Sequence, residues 1–135
     1  MAKTDSFVTN AGAIDISLPT DADLSSLQYR FVKRDAMDGK VVACGANEKP
    51  LGILQNAPNG SSADAVATVR ISGVSKLKIA ETVTFGKFLT STSSSTGEVC
   101  DAAGEEYGAK ALCDGSADDL ITVLVCHGEV ETTDA

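Results

Sequence analysis

Asp38-Gly39-Lys40-Val41-Val42-Ala43-Cys44, followed after a short polar break by Pro50-Leu51-Gly52-Ile53-Leu54, is the stretch on which the reading of this chain turns. It has the order of one β-unit: an Asp-Gly turn, a strand, a loop through Asn47-Glu48-Lys49, then a second strand entered through Pro50 and Gly52. The order returns in Gly97-Glu98-Val99-Cys100 and Tyr107-Gly108-Ala109-Lys110-Ala111-Leu112. Extended outward, the match lays Phe31 on Phe88, Gly39 on Gly97, Val41 on Val99, Gly52 on Gly108, Val69 to Ile71 on Val123 to Val125 and Gly73 on Gly128. Two readings are open: duplicated halves at 31–73 and 88–128, or alternating β-sequence that aligns with itself by chance.

The strongest strand signal lies between the two copies. Val69, Ile71 and Gly73 alternate with Thr68, Arg70 and Ser72, and Leu77 and Ile79 continue inward while Lys76 and Lys78 point outward. Leu120-Ile121-Thr122-Val123-Leu124-Val125-Cys126 is an apolar run of strand length and reads as a core strand. Near the N-terminus, Ile14, Ile16 and Leu18 alternate with Asp15 and Ser17. This gives residues 1–19 the character of an extended arm whose apolar stripe, with Phe7 and Val8, needs either the chain's own core or another subunit. Thr20 or Asp21 is placed to cap a short helical turn over 20–27. The tract from Thr90 to Gly97, nearly all Ser and Thr, reads as a flexible hairpin loop. Residues 20–128 form one β domain in this reading, and the acidic residues 129–135 form a mobile tail.

At 135 residues with 43% hydrophobic and 4% aromatic content and no Trp, the chain fits one domain whose core is Val, Ile, Leu and Ala. The net charge of −8 is unevenly spread: residues 90–135 hold one Lys against ten Asp and Glu. That argues against a nucleic-acid groove, which needs clustered positive charge. A local basic group, Arg70, Lys76, Lys78 and Lys87, is the candidate contact surface for a partner. Cys44, Cys100, Cys113 and Cys126 stand no closer than 13 residues apart, which disfavours a zinc site, and their apolar contexts predict buried free thiols. No apolar run is long enough to span a bilayer, so no membrane is expected, and the cysteine spacing and the lack of any binding motif leave no metal or other cofactor expected.

Catalytic patterns are equally scarce. The single histidine, His127, is adjacent to Cys126 and points to the opposite face of a continuing strand, which disfavours a Cys-His couple. Glu105-Glu106 and Asp118-Asp119 read as solvated acidic loops. No glycine-rich nucleotide fingerprint precedes a helix. The expectation is a protein that is not an enzyme.

The succession Gln28-Tyr29-Arg30-Phe31-Val32-Lys33, Asp38-Gly39-Lys40-Val41-Val42, Pro50 to Pro58 and Val69-Arg70-Ile71-Ser72-Gly73-Val74 resembles the capsid decoration, or cement, proteins of tailed bacteriophages, of the type on the phage lambda head. The resemblance covers residues 28–128 and is one of pattern. It implies an all-β, β-tulip or barrel-like domain with an extended N-terminal arm and little helix. It further implies a cement protein made in the host cytoplasm and carried on the exterior of the virion capsid. Its partners would be the major capsid protein and two further copies of itself in a homotrimer, with the arm residues Phe7, Val8, Ile14, Ile16 and Leu18 as anchor. The alternative is a small β-domain that binds carbohydrate or the host surface, which the shortage of aromatics weakens.

Overall fold

A computed structural model describes residues 12–60 and 65–131, and among them every regular element is a strand. The strands are β1 (Ile14–Pro19), β2 (Phe31–Arg34), β3 (Val41–Ala43), β4 (Gly52–Leu54), β5 (Val66–Lys78), β6 (Phe88–Ser91), β7 (Gly97–Val99), β8 (Glu106–Ala111) and β9 (Leu120–Glu129). The domain is all-β and barrel-like. The helical turn expected over 20–27 is replaced by a side-chain-capped turn: the Asp23 carboxylate accepts the Ser25 amide at 3.0 Å, and Leu24 drops into the core. Eight residues are too few to stabilise a helix alone, and the local polar groups satisfy the backbone another way.

All ladders are antiparallel, in the order β3-β2-β4-β5-β9-β8-β6-β7, with β1 also on β5. The Asp38 to Leu54 stretch is therefore not a closed pair of its own strands. β3 and β4 flank β2 on either side, and the turn at Asp35 to Lys40 joins β2 to β3 through an amide-to-carbonyl bond of 2.8 Å. The 13-residue β5 serves two groups of strands. Its first part pairs with β1 and β4, and its second part, from Gly73 to Lys78, pairs with β9.

Each group is a five-stranded roll, and the two rolls follow one pairing scheme. In the first, Phe31 opposes Ile53 and Ile53 opposes Arg70, which opposes Asp15. In the second, Phe88 opposes Lys110 and Lys110 opposes Leu124, which opposes Val74. The turns correspond as well. Left-handed backbone occurs at Tyr29, Gly39 and Asn47 in one roll and at Gly86, Ser95 and Gly104 in the other. The first roll closes where Thr20 Oγ1 donates to the Val41 carbonyl at 2.7 Å, and the second where the Ala80 amide donates to Gly97 at 2.8 Å. By register, Val41 corresponds to Gly97 rather than Val99, and Gly52 to Ala109 rather than Gly108. Alignment by residue type misses these shifts because the loops differ in length.

Two apolar clusters follow. Leu24, Val32, Val41, Leu54, Ala67 and Val69 fill the first roll, with Ile16 and Leu18 packed against them. Leu77, Ile79, Val83, Leu89, Ala109, Ala111, Ile121, Val123 and Val125 fill the second, and Phe31, Cys44 and Ile53 of the first roll join them. β2 and β4 are thus buried on both faces, so Phe31 and Val32, neighbours in sequence, serve different cores. Gly108 is required by this arrangement: a Cβ there would sit 2.8 Å from Phe31 Cε1 and 3.0 Å from the Pro50 ring.

The Ser/Thr tract does form the hairpin between β6 and β7, with Ser93 and Ser94 exposed at its turn, but most of it is held in the core rather than flexible. Thr90, Ser91, Ser95 and Thr96 are buried, and the Ser91 and Ser95 hydroxyls both donate to the Cys44 carbonyl, at 2.9 and 2.7 Å. The Phe31 amide donates to the Ser95 carbonyl at 2.8 Å. Low-complexity composition suggested mobility, but hydroxyls that find backbone partners across the roll junction are cheap to bury.

Candidate docking surface

The residues singled out from the sequence are divided by the fold. Phe7 and Val8 lie outside the described residues. Ile14, Ile16 and Leu18 stand on β1, which is hydrogen-bonded along β5 from Ser72 to Val66. Ile16 and Leu18 face the first core and only Ile14 is exposed, so residues 14–19 are a strand of the domain and not a free arm. The boundary drawn after residue 19 therefore falls between β1 and the rest of its own sheet. At the other end, β9 runs through Glu129, and the Val130 amide donates to the Glu105 carbonyl at 2.8 Å, so the ordered chain passes residue 128.

Arg70 does not belong with the free lysines. Its guanidinium grips the Asp15 carboxylate with Nε at 2.8 Å and the second nitrogen at 3.1 Å, and donates to the Val74 carbonyl at 2.8 Å. The Asp15 carboxylate accordingly raises the Arg70 pKa further. It clamps β1 to β5. Lys76 and Lys78 are different: they oppose Thr122 and Leu120 across the β5–β9 ladder, on the face away from the core. Lys87 is exposed at the turn before β6.

The same outer face holds residues that the sequence reading did not select. Val74, Leu124, Lys110 and Phe88 form one row across β5, β9, β8 and β6. Tyr107 lies against Phe88 with ring centroids 4.2 Å apart, and Lys110 Nζ is 5.7 Å from the Phe88 ring centre. On this face Leu120 is 52% exposed and Leu124 and Phe88 37% and 36%, and Phe85, in the turn before β6, is 67% exposed, so large apolar side chains meet solvent here. β9 is therefore not a core strand on both faces: Ile121, Val123 and Val125 are buried while Leu120, Thr122 and Leu124 are open. The signal was in the sequence. A strand with one wet face normally alternates with polar residues, and Leu120 and Leu124 break that alternation.

A second surface is an open groove of about 540 Å³ lined by Arg34, Lys49, Pro50, Leu51, Ile71 and His127. His127 is exposed, with Nε2 2.9 Å from the Leu51 carbonyl, and Lys49 reaches Glu106 at 3.6 Å. Among the described residues no three His, Cys, Asp or Glu side chains gather as a metal site. All four thiols are free. Burial pushes Cys44 and Cys100 up to about 11, and neighbouring carboxylates of Glu105, Asp101 and Glu98 add to the effect at Cys100, so both stay protonated and unreactive near neutral pH.

The chain has a fold counterpart among solved structures. Its fold is similar to that of a phage head-fiber base. The match is to the crystal structure of the N base of head fiber gp8.5 of bacteriophage phi29, with a TM-score of 0.66 and 12% identity over 89% of this chain and 99% of that one. At that identity the likeness concerns the fold. No protein-family model matches the chain, and no curated protein matches it by sequence.

Proposed function

We propose that this chain is a non-enzymatic structural protein of a bacteriophage head, bound to the outer surface of the shell as a decoration or cement protein. The observation that carries the reading is the fold shared with a head-fiber base over 89% of the chain. The sequence pattern points the same way independently, through its resemblance to tailed-phage decoration proteins. In this role the major capsid protein is the partner, and the chain sits as a homotrimer on the capsid exterior. Many copies, each bound only to the assembled shell, stabilise it by mass action, because binding to one state alone shifts the equilibrium toward that state.

The test is sedimentation of the purified chain with expanded and unexpanded heads that lack it. Saturable binding to expanded heads, with a raised temperature of head disruption, is the expected result. Binding to neither form, together with retention on a glycan array, overturns the reading in favour of carbohydrate recognition.

A further inference from the structure

The two rolls share one pairing scheme but differ in what covers their backs. On the first roll the row Phe31–Ile53–Arg70–Asp15 presents Phe31 and Ile53 to the second roll, whose core closes over them. The corresponding row on the second roll is Phe88–Lys110–Leu124–Val74. Phe88 stands where Phe31 stands, and the Val74–Leu124 pair takes the place of the Asp15–Arg70 ion pair. Of the apolar side chains in this row only Phe88 has a fully covered counterpart, Phe31; Leu124 and Val74 stand where the part-exposed Arg70–Asp15 pair stands, so aliphatic side chains here replace an ion pair, and Phe88 and Leu124 remain 36% and 37% exposed although Tyr107 and Lys110 lie against the Phe88 ring. Lys110 lies within the row and Lys76 and Lys78 beside it on the same face, and none of the three takes part in an ion pair among the described residues.

We infer that the outer face of β5, β9, β8 and β6, with Phe88, Leu124 and Val74 as its apolar part, Lys110 between Phe88 and Leu124, and Lys76 and Lys78 beside Val74 on the same face of β5, docks an acidic protein surface of the head. The inference rests on the head role proposed above. Charge selects the occupant. Lys76, Lys78 and Lys110, none in an ion pair among the described residues, add positive charge to this face of a chain whose net charge is −8, and such charge favours an acidic partner over a second copy. A second copy docking face to face would oppose lysine to lysine and forfeit that attraction. The apolar side chains supply affinity once water is excluded, while the lysines set orientation and rate.

The experiment uses the full chain and heads lacking it. Three proteins are compared by co-sedimentation: wild type, the triple variant K76E/K78E/K110E, and Leu124→Asp. All substituted side chains are at least partly solvent-facing, and thermal unfolding followed by circular dichroism checks that each variant keeps the wild-type fold. The expected result is head binding weakened about tenfold or more in the triple variant and in Leu124→Asp. Wild-type binding should also fall steeply between about 0.1 M and 0.5 M salt. Folded variants that bind heads as wild type does overturn the docking face and leave the head role standing. Wild type that leaves heads bare overturns both. A concentration-dependent dimer of wild type that both variants abolish places a second copy on this face and overturns the acidic occupant.

Discussion

Removing residues 1–19 tests whether β1 is an appendage or a strand of the first roll. The deletion takes away Ile16 and Leu18, both half-buried against the first core. Full burial of such a side chain is worth about 1.5–3 kcal/mol, so each contributes roughly 1 kcal/mol. It also removes Asp15, leaving the Arg70 guanidinium without the carboxylate it grips at 2.8 and 3.1 Å. Stranding a largely covered charge costs about 1 kcal/mol more. Together these amount to about 3 kcal/mol, a substantial part of the ~5–15 kcal/mol that holds a domain folded. Urea unfolding followed by circular dichroism should therefore show a midpoint about 1–2 M lower than that of the full chain. The control is Ile14→Ser, exposed on the same strand, which should change stability by no more than about 0.5 kcal/mol. A deletion variant as stable as the full chain would refute the reasoning, because it would mean that the β1–β5 ladder and the Asp15–Arg70 clamp contribute nothing.

Three further outcomes are expected. Gly108→Ala should destabilise by about 1–3 kcal/mol in denaturant unfolding, because the added methyl meets Phe31 and Pro50 at 2.8–3.0 Å; combining it with Phe31→Leu should recover part of the loss. Ser91→Ala should cost about 1 kcal/mol in the same assay, since it removes one of the two hydroxyl donors to the buried Cys44 carbonyl. Stability should fall as pH rises from about 8.5 toward 10.5. Cys44 and Cys100 are raised to about 11 in the native state, so the unfolded thiols lose protons first, the native state holds more protons, and the slope of unfolding free energy against pH is negative. Replacing both cysteines by alanine should flatten that slope, and an unchanged slope would place its origin elsewhere.

Much of the strand content was legible because side chains alternate with period two. Val69, Ile71, Leu77 and Ile79 against Arg70, Lys76 and Lys78 define β5 and its wet side from sequence alone. The correspondence of Phe31 with Phe88 and of Val69 with Val123 was visible for the same reason, and the strand registers place these residues at equivalent points. The docking face was only partly legible. Lys76 and Lys78 stood out by charge, but Phe88, Lys110 and Leu124 come from three strands, and only the ladder brings them into one row. Arg70 looked equally free, because a bidentate partner 55 residues away leaves no local trace.

By itself, the sequence determined that the chain is all-β, that its core is aliphatic, and that residues 90–135 carry all of its net negative charge. These are properties of composition and of neighbours one and two residues apart. The tertiary structure alone decided that Ile14–Pro19 completes a roll, that the Ser/Thr tract is buried at the junction, and that Phe31 is fully covered while Phe88 is not. The physical reason is that burial belongs to pairs of surfaces. Two phenylalanines at equivalent points of two similar rolls have the same local sequence character, and only the stacking of one roll on the back of the other buries one of them fully while the other, against Tyr107, stays partly open to water.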